Sequence, residues 1–265
     1  MCEMKTRTAT RGVDDIKSEL MKYYHQLPVT EDNSKAVRAV AWALLANVLI
    51  SDYLNRWNEA GTGGNPGDNL LTDAETAVGK ALNLDDTFAL AHYANGLVLR
   101  ARGRCTEALQ AFDRAINLDS TFARAHAQKG SELINDGLFD DALAEIDKAI
   151  KAGPTDPSLG MFYWNRGRAY FFMEQYDNAI AALKEAVTLR SNLWHNELYL
   201  AAAYWKINDQ SSAKRILQDF LRKNPGFTVD RVISHEKANP SKNQKVKEGR
   251  DRLHEALEKS GMPPR

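Results

Sequence analysis

The stretch "GRCTEALQAFDRAINLDS", Gly103–Ser120, decides the fold, because 34 residues later the chain reads "GLFDDALAEIDKAIKAGP", Gly137–Pro154. Few letters match outright, yet Gly, Ala, Ala and Ile recur at the same spacing. Within the first copy, Ala108, Phe112 and Ala115 stand at i, i+4 and i+7. They form one apolar helical stripe, with Glu107, Gln110, Asp113 and Arg114 largely off it. Small residues in the stripe let a neighbouring helix come close.

Working outward, the repeat becomes a register. Units of 34 residues run over 89–122 and 123–156, then, after a three-residue insertion (Pro157 to Leu159), over 160–193 and 194–227. Each has room for two short helices and two turns. A close-packing slot in the first helix holds Gly96, Gly130, Gly167 and Ala201. The turn slot holds Gly103, Gly137, Glu174 and Asn208. The second helix carries Ala108, Ala142, Ala179 and Ala213, and one turn later the bulky Phe112, Ile146, Leu183 and Leu217. A further small slot holds Ala115, Ala149 and Ala186, with Phe220 in the last unit. Helix stops fall at Ser120, Pro154, Ser191 and Pro225. Sustained period-2 alternation is absent, and Leu, Ala, Glu, Lys, Arg and Gln dominate. The reading is all-α.

Upstream, "LTDAETAVGKALNLDDTF" (71–88) repeats the second-helix pattern through Ala74, Val78 and Ala81. Its first helix is expected from about Lys35 to Trp57, so 35–88 reads as a divergent first unit with an expanded loop. Residues 1–34 read as a tail and a capping helix, with Val13, Ile16, Leu20 and Tyr23 on one side. Residues 228–265 read as a linker and a closing helix. That helix carries Leu253 and Leu257, then stops at Gly261 and two prolines.

Period and slots over 89–227 resemble the tetratricopeptide repeat. The resemblance implies antiparallel helix pairs stacked into a right-handed α-α superhelix with a concave groove. Stacking is what buries a helix pair's apolar face, since one pair alone cannot. His92 and His126 depart from the family, standing where it favours an aromatic. The order of pieces, with "AHYANGLVLRARGR", the short insertion, "NPGFTVDRV" and "ALEKSGMP", is similar to C-terminal repeat modules of bacterial class III adenylate cyclases and winged-helix transcriptional regulators. That similarity implies architecture and a regulatory setting. Only about 35 residues precede the repeats, too few for a catalytic or DNA-binding domain.

Composition narrows the function classes. With 35 basic and 35 acidic residues, the chain has no net field to draw nucleic acid or an anionic membrane. The most apolar run, Ala39–Ile50, has 12 residues, against about 20 for a bilayer span. A buried helix is expected there. No signal-peptide pattern opens the chain, and two cysteines suit a reducing cytoplasm.

Catalytic chemistry finds no constellation. "GTGGNPGDN" (61–69) lacks the Lys-Ser/Thr ending of a phosphate loop. His92 and His126 recur one repeat apart, about 10 Å by helix packing, far for one metal ion. They read as packed helix histidines, and no metal or other cofactor is expected. His195 has no nucleophile partner. Cys105, beside Arg102 and Arg104, is the one thiol whose setting suggests activation, with an inert surface thiol as the plainer reading. "RARGR" (100–104) reads as a solvated helix end rather than a nucleic-acid site.

By resemblance to the family, one stripe of each first helix lines the groove. Slot by slot it is Tyr93, Leu97 and Arg100; Ala127, Ser131 and Ile134; Trp164, Arg168 and Phe171; Leu198, Ala202 and Trp205. Aromatics with arginines have the composition of binding hot spots. The family's chaperone-tail clamp uses Lys and Asn where this chain has Tyr93 and Leu97, which argues against chaperone C-termini. The expected function is a non-enzymatic cytoplasmic adaptor or scaffold holding a protein or peptide. The alternative is a freestanding regulatory module of a bacterial signalling system. Open solenoid ends also admit homo-oligomers.

Overall fold

The computed structural model describes residues 34–60, 68–189, 194–238 and 241–265, with the side chains of 34, 55–60, 68 and 238 left aside. Among them are twelve α-helices and no strand. They are α1 (Ser34–Ala60), α2 (Asp68–Leu84), α3 (Ala89–Ala101), α4 (Cys105–Leu118), α5 (Ala123–Asn135) and α6 (Phe139–Ala152), followed by α7 (Leu159–Phe172), α8 (Tyr176–Thr188), α9 (His195–Lys206), α10 (Gln210–Lys223), α11 (Val229–Ala238) and α12 (Gln244–Ser260). The expected capping helix at 13–24 and the glycine-rich loop at 61–67 lie outside the described residues.

The helices pack as successive antiparallel pairs, α1 with α2, α3 with α4, and so on through α9 with α10, each pair leaning on the next. The repeated letters have repeated causes. The turn-slot residues Gly103, Gly137, Glu174 and Asn208 all take left-handed backbone, with φ of 75°, 77°, 62° and 65°. Each turn closes on the same bond, the amide two residues beyond the slot's predecessor donating back into the last helical turn: Arg104 N to Leu99 O, Leu138 N to Leu133 O, Gln175 N to Tyr170 O and Asp209 N to Tyr204 O.

The two main slots meet each other. A Cβ on Gly96 would lie 2.4 Å from Phe112, one on Gly130 2.7 Å from Ile146, and one on Gly167 2.5 Å from Leu183. Each bulky second-helix residue therefore sits where its partner helix has no side chain, and all three are fully buried. One core runs from α1 through α5, and another from the end of α5 to α12.

Over Lys35–Leu54, α1 is long and apolar enough by length and composition to cross a membrane. In the fold, Ala39, Ala43, Ala46, Leu49 and Ile50 are buried, and the helix packs on α2 and α3. Val40 and Leu44, on its other side, stay exposed.

The closing helix does more than cap. α12 doubles back antiparallel to α11, with Val229 N donating to Pro263 O and Asp230 N to Pro264 O. It then lies on the first helices α9 and α7. Its N-terminal end reaches the end of α5, more than a hundred residues upstream, through Ser241 and Asn243.

Candidate functional site

First helices alternate with second helices along the chain, so α3, α5, α7 and α9 present one common face. Arg124 and Ser131 stand two turns apart on α5 and share that side. A polar chain threads the face. Arg100 donates to Gln128 Oε1, and its guanidinium is 3.8 Å from Glu132. Arg168 donates through Nη2 to Ser131 O at 3.2 Å and Ser131 Oγ at 3.1 Å. Its guanidinium carbon lies 5.6 Å from the Trp164 ring, a cation–π contact.

Aromatics continue the line. Trp164 meets Tyr199 edge-on at 4.9 Å and His195 at 5.3 Å. Trp194 stacks on His195 at 3.5 Å, and His195 Nε2 is 3.4 Å from Nδ1 of His235 on α11. From α12, Arg250 Nη1 donates to Glu236 O at 3.2 Å, and His254 pairs with Glu236 at 2.8 Å.

Enclosure shifts these groups. Burial pulls the Arg168 guanidinium down to about 10; Arg250 and Arg100 push the same way, while Tyr199 and Glu132 oppose. Burial raises the Glu132 carboxyl against the pull of Arg100 and Arg168. It holds His195 well below the ordinary histidine value, helped by His235 and Arg168, so this imidazole is neutral near pH 7. Arg168 Nε and His195 Nδ1 are enclosed without a hydrogen-bond partner.

The expected groove residues divide. Tyr93 (5% exposed), Leu97 (2%), Phe171 (0%) and Leu198 (0%) belong to packing between helices. Tyr93, for instance, sits 5.0 Å from the Phe122 ring and 6.1 Å from Phe112. Ala127, Ile134 and Ala202 are buried as well. Arg100, Ser131, Arg168 and Trp205 keep partial exposure, and Trp164 keeps an edge. The stripe drawn from the family's slots is thus rotated partly into the stack, because large residues at those slots fill the space between neighbouring first helices.

Gln128, Glu132, Tyr199 and Arg250 were missed. The first three adjoin the expected stripe, one position off its slots, and helical periodicity offers a signal for them. Arg250 has none, since only the return of α12 brings it there.

Other candidates resolve locally. His92 Nε2 lies 2.7 Å from Asp86 O. His126 is held between Glu145 Oε2 at 2.6 Å and Ser120 O at 3.1 Å. Among the described residues no group of three or more His, Cys, Asp or Glu is placed to hold a metal. Activation of Cys105 by its arginines does not occur. Burial first, then Glu132 and Asp136, push the thiol up, while Arg102 and Arg104 are engaged by Glu75 at 3.0 Å and Glu107 at 2.5 Å. Where α12 crosses the start of α6, a pocket of about 540 Å³ is lined by Gly137, Asp140, Asp141, Glu174, Lys245 and Arg252 among others.

Tetratricopeptide-repeat family models match residues 69–121, 162–193 and 197–226, so the chain carries tetratricopeptide repeats. No curated protein matches it. Among solved structures, that of pilF from Pseudomonas aeruginosa is similar at 20% identity, covering 84% of this chain and 90% of that one, with a TM-score of 0.61. PilW, a type IV pilus biogenesis factor, is similar at 18% identity over 82% of this chain and 97% of its own, with a TM-score of 0.59. YrrB, a tetratricopeptide-repeat protein with an unusual peptide-binding site, is similar at 22% identity over 69% and 90%, with a TM-score of 0.51. At these identities the likeness shows the fold alone.

Proposed function

We propose that this chain is a non-catalytic scaffold that holds a segment of a partner protein on the face formed by its first helices. The observation that carries this reading is that the face already seats a helix, α12, against α7 and α9. A repeat stack that accepts one helix has the shape and exposed polar groups to accept another. The fold shared with YrrB agrees with a protein or peptide partner.

Binding would use Arg100, Ser131, Arg124 and Met161, which are partly exposed on this side. Arginines would supply charge-assisted hydrogen bonds that fix register. The alternative reading is a freestanding regulatory module of a bacterial signalling system, associated with a cyclase or transcription factor, and it rests on the module resemblance alone.

The test is site-directed photo-crosslinking in cells. A crosslinker replacing Arg124 or Ser131 is expected to trap one partner band. The same group at Gln110 of α4 or Lys184 of α8, exposed on second helices, is expected to trap none. Cross-links confined to the second helices would overturn the assignment.

A further inference from the structure

We propose that the cavity between α12 and the start of α6 is a second recognition site, which receives an arginine side chain from an extended, partly apolar segment of a partner protein. The site is built from the α5–α6 turn, the α7–α8 turn and α12. It lies apart from the polar chain of the first-helix face and stands independently of the scaffold reading.

The cavity is held open by its frame. Asn243 fastens the start of α12 to the α5–α6 turn. Its Nδ2 donates to Asp136 O at 2.8 Å, and its Oδ1 accepts from the amides of Lys245 at 2.9 Å and Val246 at 3.4 Å. Gly137 makes room for it, since a Cβ there would lie 2.3 Å from Asn243 Nδ2. Further along α12, Gly249 rests on the Phe172 ring, where an added Cβ would lie 2.3 Å from Cδ1. Arg252 Nη2 then donates to Phe172 O at 3.2 Å. Between these fixed points Lys245 and Glu248 line the same cavity of about 540 Å³ as the first turn of α6, a volume in the range of clefts that enclose ligands. A cavity framed by fixed elements costs a ligand little reorganisation.

The lining selects a cation. Asp140 and Asp141 are exposed in the first turn of α6, and among the described residues no cation pairs with either. Glu248 accepts from the neutral amide of Gln244 at 3.1 Å. Arg252 is already engaged, 3.5 Å from Glu174, which leaves Lys245 as the opposing charge on the described walls. Three carboxylates against one ammonium leave an excess of two negative charges around the cavity. A guanidinium meets such a set with several donors in a fixed fork. The floor is apolar. Phe139 and Phe172, with rings 5.9 Å apart, suit the aliphatic stem of a long basic side chain. At the lining, Leu138 is 49% exposed, the most exposed large apolar side chain among the described residues. An exposed apolar group beside carboxylates fits a peptide with an apolar residue next to its arginine, and offers a free amine nothing.

The test titrates the isotope-labelled full chain with the capped tripeptide acetyl-Leu-Arg-Leu-amide, with its citrulline and glutamate counterparts, and with agmatine as a free guanidinium. Amide NMR shifts of Gly137–Asp141, Met173 and Glu174 read the binding. The arginine peptide is expected to shift these amides saturably and to bind about tenfold more tightly than the citrulline peptide or agmatine. The glutamate peptide is expected to leave them in place. Asp140→Asn/Asp141→Asn should weaken the arginine peptide about fivefold, and Lys245→Ala should tighten it about twofold by removing the opposing charge. If the double variant loses helical content, Lys245→Ala carries the comparison. Equal binding of the arginine and citrulline peptides, agmatine as tight as the peptide, no tightening by Lys245→Ala, or shifts confined to the first helices would each overturn the proposal. Cross-links at Arg124 or Ser131 alongside such a result would leave the scaffold reading standing and remove only this site.

Discussion

Two glycines in neighbouring repeats should respond to alanine with opposite signs. Gly96, inside α3, faces Phe112; an added Cβ would meet Cε1 at 2.4 Å, Cδ1 at 2.6 Å and Cζ at 2.9 Å. The Phe112 ring is fully buried and flanked by Tyr93, so it cannot swing aside. Overpacking of a rigid core costs about 1–3 kcal/mol, and a 2.4 Å approach belongs at the upper end. Alanine regains about 1 kcal/mol of helix propensity, leaving a net loss of about 2 kcal/mol for Gly96→Ala. Gly79, inside α2, is exposed with nothing within 4 Å of the added carbon. There the propensity gain stands alone, and Gly79→Ala is expected to stabilise by about 1 kcal/mol. Urea unfolding followed by circular dichroism at 222 nm reads both. At roughly 2–4 °C per kcal/mol for a chain of this size, Tm should fall by about 4–8 °C for the first and rise by about 2–4 °C for the second. A Gly96→Ala chain as stable as wild type would refute the slot argument, because the repeat would then need no close approach between its helices.

Two further predictions concern pH. Burial pushes the Glu145 carboxyl up, but hydrogen bonds from His126 and Lys148 and the charge of Lys129 outweigh it and hold the pKa below the ordinary value. A folded-state pKa below the unfolded one gives stability that is present above about pH 4.5 and lost as pH falls through the folded value. Glu145→Gln should flatten acid unfolding in that window, and an unchanged acid limb in urea titrations would count against the pairing. His195 is depressed by burial, then by His235 and Arg168. The unfolded chain therefore binds a proton near pH 6.5 that the folded chain refuses, and stability falls on acidification below that pH by at most about 1.4 kcal/mol per pH unit. His195→Phe should remove this slope between pH 6.5 and 5, and persistence of the full slope in that variant would place its origin elsewhere.

Helix pairing, turn positions and the small and bulky slots that hold Gly96 and Phe112 were legible in the sequence, because each recurs at a fixed period; that these two slots meet was shown by the structure. The left-handed turn at Glu174 and Asn208 was legible only through that period, since neither residue by itself announces a positive φ. For the groove, the slots named residues on the first helices, and the structure joins Ser131 to Arg168 and Arg100 to Gln128 there. Periodicity does not say how far each helix rotates about its axis, and a rotation of a few tens of degrees decides whether Tyr93 and Leu198 face solvent or the next repeat.

By itself, then, the sequence determined a stack of helix pairs with its core residues, since a 34-residue period and small-versus-bulky alternation are local facts. Only the tertiary structure decided what lies on the first-helix face. The return of α12 joins Ser241 to Asn135 and Asn243 to Asp136, and contacts between residues so distant in the chain leave no periodic trace. They follow from where the last helix can bury Val246, Leu253 and Leu257, which is settled by the shape of the stack as a whole.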